Sequence, residues 1–327
     1  MNKIAARLAQ RLITAALIAM TGAAVAQQSY PAKSIRFIVP FPPGGSTDPL
    51  ARIIGQRLAE AWGQQVIVDN RPGGNTIIGT EAVARSAPDG YTILYAGSTH
   101  IINSLLFRNL PYDSIKDFAP VTSLTRSQYV LVLHPSVPAN NLQEFIALAK
   151  SKPGQLDYGT SGTGNPNHLA MELFSQMTGI KLQHVPYKGA APAVVDLLSG
   201  RVQVFCSVPI SFIPYIQSGK LKAIGITGDA RSPALPQVPT FAEAGLPAFA
   251  PQGWGGVAAP AGTPKAVIDK LAAEIARILS LPDTREKLIA QGHDPFITTP
   301  EQFVALWHAD LAKYAKIIST AKIKIEQ

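Results

Sequence analysis

Two glycine-rich turns, each set between a short apolar run and a helix-like segment, constrain the fold of this chain more than any other feature. The first, Pro40-Phe41-Pro42-Pro43-Gly44-Gly45-Ser46-Thr47-Asp48, follows residues 35–39. The second, Gly159-Thr160-Ser161-Gly162-Thr163-Gly164-Asn165, follows residues 156–158. A strand–turn–helix of this kind aims backbone N–H groups and the positive end of a helix dipole at one point, the geometry that holds an anion. The glycines let the backbone approach a ligand and present successive N–H groups. Two such turns, far apart in the chain, can grip one anion between two lobes.

Strand-like and helix-like segments alternate around these turns. Strands are expected at 35–39, 66–68, 91–95, 130–133, 156–158, 183–187, 202–205 and 221–227. Helices are expected at 49–62, 80–86, 141–151, 167–178 and 191–198, with Asp48 capping the first and Asn141 and Glu144 at capping-box spacing on the third. The C-terminal part reads as more helical, with starts at Thr263-Pro264 and at Thr299, which is spaced from Gln302 like a second capping box. Short β-branched runs alternating with helices imply α/β layers around mostly parallel sheets. No linker or repeat separates the halves, so two lobes joined by crossing segments are expected, with crossings at 121–129 and 221–228. The expected division is 27–124 and 228–327 for lobe 1 and 125–227 for lobe 2.

Residues 1–26 read as a secretory leader. Lys3, Arg7 and Arg11 precede a short apolar core, and Ala24-Val25-Ala26 fits a cleavage site that leaves Gln27 first. Three of the 29 basic and none of the 21 acidic residues fall in this leader, so the formal charge of +8 becomes +5 on processing. The remaining basic residues are scattered, which argues against nucleic acid as a partner. The single cysteine, Cys206, lies in an apolar run and reads as a buried small hydrophobe. No histidine pair has zinc-ligand spacing, and neither a P-loop nor a G-x-G-x-x-G occurs. The expectation is a monomer without metal or cofactor.

Four turns qualify as candidate binding elements. In the first, Gly44, Gly45, Ser46 and Thr47 offer donors, Phe41 offers a ring, and Asp48 reads as a cap more readily than as a partner for an anion. In the second, Ser161, Gly162, Thr163 and Asn165 are small donors, and His168 either faces the cleft or covers it. The third is Val185-Pro186-Tyr187-Lys188-Gly189-Ala190-Ala191-Pro192, and the fourth is Ala96-Gly97-Ser98-Thr99-His100. All four follow strands, and ligands of open α/β sheets sit at the carboxyl ends of strands. Gly159-Thr160-Ser161-Gly162-Thr163 begins like a nucleophile elbow but has Thr163 in the fifth position. An exported hydrolase built on Ser161 therefore stays open beside a binding protein.

Several blocks in order resemble the substrate-binding proteins of tripartite tricarboxylate transporters, the Bug receptors. They are the first turn, Asn70-Arg71-Pro72-Gly73-Gly74, Ala87-Pro88-Asp89-Gly90-Tyr91-Thr92, and Ser161-Gly162-Thr163-Gly164 leading to His168-Leu169-Ala170. Val185-Pro186-Tyr187-Lys188-Gly189, Pro239-Thr240-Phe241-Ala242-Glu243-Ala244-Gly245 and Ala259-Pro260-Ala261-Gly262-Thr263-Pro264 complete the set. The resemblance implies a two-lobed periplasmic binding protein of the type II flytrap kind, each lobe a mixed, mostly parallel sheet flanked by helices. Such a receptor closes over a small carboxylate and passes it to a membrane permease, without catalysis; a ligand sensor for a membrane signalling partner, using the same fold, stays open as an alternative. Carried over by position, it points to Gly44, Gly45, Ser46 and Thr47 on one lobe. On the other it points to Ser161, Gly162, Thr163 and the helix start at Gly189, Ala190 and Ala191. Asn75 and Thr76 stand where the family has glycines, and they either line the pocket or alter a surface turn. Phe41 and Trp254 are lobe core or, if both face the cleft, contacts for an aromatic acid.

Overall fold

The computed structural model describes residues 30–321 and 323, so the expected leader and its cleavage after Ala26 lie outside the described residues. In chain order the first half runs β1 (Ile35–Val39), α1 (Thr47–Trp62), β2 (Val66–Asn70), α2 (Ile77–Ala84), β3 (Thr92–Gly97), α3 (Ser98–Leu106) and β4 (Phe118–Ser127). Then follow β5 (Val130–Leu133), α4 (Leu142–Ser151), β6 (Asp157–Thr160), α5 (Pro166–Thr178), β7 (Gln183–Pro186), α6 (Ala190–Leu198) and β8 (Val204–Ser207). A 3-10 turn at Pro209–Ser211, α7 (Ile213–Gln217) and β9 (Lys222–Ile226) complete that part. The chain closes with β10 (Gly253–Pro260), α8 (Lys265–Ser280), α9 (Pro282–Ala290), β11 (Asp294–Pro295) and α10 (Pro300–Ala321). Among the described residues no helix is long and apolar enough to cross a membrane.

The strands form two sheets, ordered β11-β4-β10-β3-β1-β2 and β7-β6-β8-β5-β9. Both are mixed. Four of the nine strand pairings are parallel, a smaller share than the strand–helix alternation implied, because β5, β10 and β11 enter their sheets antiparallel. The period of two along each strand divides its side chains between faces. Ile35, Phe37 and Val39 pack with Ile54 and Leu58 of α1 and Leu271 and Ile275 of α8. Ile38, on the other face, joins Leu94, Ile101, Trp254, Phe303 and Trp307. In the second sheet, Leu131, Leu133 and Cys206 pack with Phe145 and Phe174, while Val130, Val132 and Phe205 pack with Leu197 and Phe212. Cys206 is fully buried, and burial pushes its thiol pKa well up.

The lobe crossings fall later than the expected divisions. Phe118–Ser127 is a strand of the first sheet, so the outward crossing is Gln128-Tyr129. After β9 the chain stays on the second lobe: Ile226 bridges Thr240, and Leu235, Val238, Phe241 and Phe249 fill its cores. The return crossing therefore lies just before Gly253, not at 221–228. The lobes touch along an apolar cluster of Ile102 from α3, Leu169 from α5 and Tyr314 from α10. Two capping predictions hold in detail. Asn141 Oδ1 accepts the Glu144 N–H at 2.9 Å. Thr299 and Gln302 exchange side-chain-to-backbone bonds at 2.9 and 3.2 Å. The first cap does not hold: α1 starts at Thr47, so Asp48 lies inside the helix and Ser46 takes the cap position.

Candidate ligand-binding cleft

The carboxyl ends of β1, β3, β6 and β7 meet at one cleft between the sheets, and each leads into a helix. The N-termini of α1, α3, α5 and α6 thus converge there, and none of their cap residues makes a side-chain capping bond. Uncapped first-turn N–H groups are orphan donors, and the dipoles behind them favour negative charge. The cavity measures about 140 Å³. At the ~10–15 Å³ that one water occupies on this measure, it admits a small molecule and not a polymer.

The first lobe lines the cavity with Phe41, Pro42, Gly45, Ser46 and Thr47, then Tyr95, Gly97, Ser98 and Thr99, then Gly253, Trp254 and His293. The second lobe supplies Ser161, Asn165, Pro166 and Asn167, then Gly189, Ala190, Ala191 and Pro192, then Ser207 and Val208. Ser127 ends β4 on the first lobe, and Tyr129 comes from the outward crossing. No Lys, Arg, Asp or Glu lines the wall. An anion held here is met by neutral dipoles, which need no counter-ion. Thr47 Oγ1 is buried without a partner. Thr99 Oγ1 reaches across the lobes to Asn165 Oδ1 at 3.1 Å.

Five residues singled out from the sequence stand behind the wall instead of on it. Asp48 Oδ2 accepts from the Gly44 N–H and from Arg52 Nε, each at 3.1 Å. Burial pushes the Asp48 pKa up, but the bonds from Arg52, Gly44 and Asn70 outweigh it and hold the carboxyl below its usual range. Asp48 is a brace of the turn, and Gly44, at φ +75°, directs its N–H to that brace. Thr163 is exposed, and Gly162, at φ +143°, shapes the second turn without reaching the cavity. His168 covers rather than faces the cleft: its Nδ1 accepts the Gly164 N–H at 3.0 Å, and its ring stacks on His184 with centroids 4.0 Å apart. Burial first, and the neighbouring His184 second, push its pKa down to about 3.

The hydrolase alternative finds no geometry. Ser161 Oγ donates to Asn167 Oδ1 at 3.2 Å, and the His168 nitrogen that could act as a base is occupied by the Gly164 N–H. Among the described residues Ser161 Oγ has no base within hydrogen-bond reach; the imidazole at the turn, His184 Nε2, pairs at 2.6 Å with Thr160 Oγ1, a fully buried side chain off the cavity wall. Asn75 and Thr76 also lie outside the lining. They hold positive φ values of 52° and 79°, and Asn103 ties them down by accepting from Asn75 Nδ2 at 2.8 Å and donating to the Asn75 carbonyl at 2.7 Å. Trp254 serves both core and cleft: its indole N–H donates to Asp310 Oδ2 at 2.6 Å while one edge reaches the cavity.

Several wall residues carried no local signal. Tyr95 and Ser207-Val208 were reachable by extending the strand-end rule to the last residues of β3 and beyond β8. Ser127, Tyr129 and Gly253 enter only because the chain crosses between lobes there. His293 sits in no motif at all.

Residues 50–323 match the family described as the tripartite tricarboxylate transporter family receptor. BugT of Bordetella pertussis is 38% identical over 306 residues, covering 93% of this chain and 94% of its own. A solved periplasmic transporter is 40% identical with a TM-score of 0.87, covering 91% of this chain and all of its own. A protein of R. palustris solved with adipate is 35% identical with a TM-score of 0.87, covering 90% and 99%. MatC of Rhodopseudomonas palustris with bound malate is 31% identical with a TM-score of 0.82, covering 88% and 100%. The chain belongs to the tripartite tricarboxylate transporter receptor family, whose members are periplasmic solute-binding proteins and not enzymes.

Proposed function

We propose that this protein captures a small carboxylate in the cleft and delivers it to the membrane permease subunits of a tripartite tricarboxylate transporter. The observation that carries the reading is the convergence of four uncapped helix N-termini on a wall with no charged side chain. Gly45, Ser46 and Thr47 on one lobe, with Ser161 and Gly189–Ala191 on the other, hold one carboxylate group. The two relatives solved with adipate and malate support the ligand class. Phe41, Tyr95, Tyr129 and Trp254 line the remaining wall and suit a flat or aromatic body beyond the carboxylate. The leader is removed after Ala26, and the mature chain works in the periplasm as a monomer.

A thermal-shift screen of residues 27–327 against mono-, di- and tricarboxylates, aliphatic and aromatic, with matched amides, tests the reading. A ligand at 100 times its Kd adds about 2.7 kcal/mol of stability. The expected result is a selective shift that disappears for the amide. A library that shifts nothing, or shifts acid and amide alike, refutes it. Binding only by aliphatic acids removes the aromatic part alone. Loss of uptake on deleting the cognate permease separates delivery from signalling.

A further inference from the structure

Among the described residues His293 is the one imidazole on the cleft wall, and a helix stop fixes its position. At the end of α9, Gly292 takes φ +74° and donates to the Ile289 carbonyl at 2.8 Å, while the His293 N–H bonds the Leu288 carbonyl at 2.9 Å. These two bonds form a Schellman motif, which leaves little freedom in where the histidine stands. The stop is pressed against the second lobe, because a Cβ on Gly292 would meet Pro209 Cβ at 2.8 Å. The ring is 4% exposed. Its Nδ1 lies 3.4 Å from Ser127 Oγ, and its Nε2 has no hydrogen-bond partner among the described residues.

A buried ring nitrogen without a partner is costly, and a native fold retains one where something else completes it. Burial keeps the ring neutral by pushing its pKa down to about 4, against a smaller upward pull from the Ser46 backbone, which approaches the ring without closing a hydrogen bond of ordinary length. A neutral ring has one donor and one acceptor nitrogen. Where the Ser127 hydroxyl donates to Nδ1, the proton stands on Nε2, which then offers an N–H. The helix N-termini already meet one carboxylate, so this donor is left for another part of the ligand.

We propose that His293 donates its Nε2–H to an oxygen at the second end of the ligand, and so selects acids carrying a second oxygen-bearing group over acids that end in hydrocarbon. The assignment rests on the carboxylate reading above and adds a residue that sets specificity within it. A site built to hydrogen-bond a substrate group rejects the analogue lacking that group, because its own polar atom is then left unpaired.

The test measures Kd by calorimetry for two matched pairs, adipate against hexanoate and terephthalate against 4-methylbenzoate. It uses the mature chain, His293→Phe and His293→Gln. In the unaltered protein at least one pair should show a preference of about tenfold or more for the diacid. His293→Phe should bring that ratio to within about threefold. His293→Gln, which keeps an amide donor, should retain an intermediate ratio. His293→Met replaces the Phe variant if the larger ring prevents folding. A full preference surviving in the donor-free variant, or no preference in the unaltered protein, overturns the role of His293 while leaving the receptor reading in place. If no carboxylate binds the unaltered protein, both fall.

Discussion

Replacing Gly253 by alanine should damage the cleft through one atom, and a second substitution should repair it. Gly253 opens β10 opposite Ser127, where the return crossing enters the first sheet. A Cβ there would lie 2.8 Å from Tyr129 Oη, and 3.3 and 3.4 Å from Cε1 and Cζ of the same ring. Tyr129 is 4% exposed, so its ring cannot swing away into solvent. Overpacking of this kind costs about 1–3 kcal/mol. The Gly253 φ lies outside the left-handed region, so alanine returns roughly 0.5–1 kcal/mol by restricting the unfolded chain. The net loss for Gly253→Ala is then about 1–2 kcal/mol. Tyr129→Phe deletes the clashing oxygen and leaves one tight contact, at 3.3 Å to the ring, so in that background the alanine should lose most of its cost. The coupling between the two sites should be about 1–2 kcal/mol, favouring the double variant. Urea unfolding of the four proteins measures it, and carboxylate affinity should follow the same order because both residues line the cavity. Additivity of the two substitutions to within about 0.5 kcal/mol refutes the steric account.

Thr99→Val removes the bond to Asn165 across the lobes, and carboxylate affinity should fall about fivefold or more, read by calorimetry; unchanged affinity means the bond does not contribute to the bound state. Asn141→Ala should cost about 1 kcal/mol in urea unfolding, since the Glu144 N–H loses its side-chain acceptor. His100 and His293 are buried and neutral, and burial pushes both pKa values down to about 4. The unfolded chain takes up their protons below about pH 6.5 and the folded one does not, so their contribution is complete above that pH and is lost as pH falls towards 4. Each should steepen the stability curve by about 1.4 kcal/mol per pH unit in that window. His100→Gln should flatten the curve by one such step, and a variant as steep as the unaltered protein contradicts this.

The elements legible in the sequence are those whose cause is local. Residues 35–39 alternate between faces, Asn141 and Thr299 sit at cap positions with their partners three residues on, and glycines stand where the turns take positive φ. The strand-end rule then placed the four turns on one side of the molecule. Gly253–Pro260 escaped notice as a strand because Gly253, Gly255 and Gly256 have little strand preference of their own. They are required there because Tyr129, Tyr95 and Phe303 press against the backbone, a reason that exists only after folding. Asp48 has the residue type and the position before Pro49 that suit a cap, but in the structure it accepts from the Gly44 N–H and pairs with Arg52, which makes it a brace.

The sequence by itself determined the alternation of strand and helix, the glycine turns and the family resemblance, since each rests on residues close together in the chain. Tertiary structure decided which of those turn residues reach the cavity. It kept residues 228–249 on the second lobe through Phe241 and Phe249, and it set His293 beside Ser127 from 166 residues away. Periodicity fixes which face of an element a side chain occupies. What that face meets depends on contacts between distant segments, and those form only when the two sheets have packed.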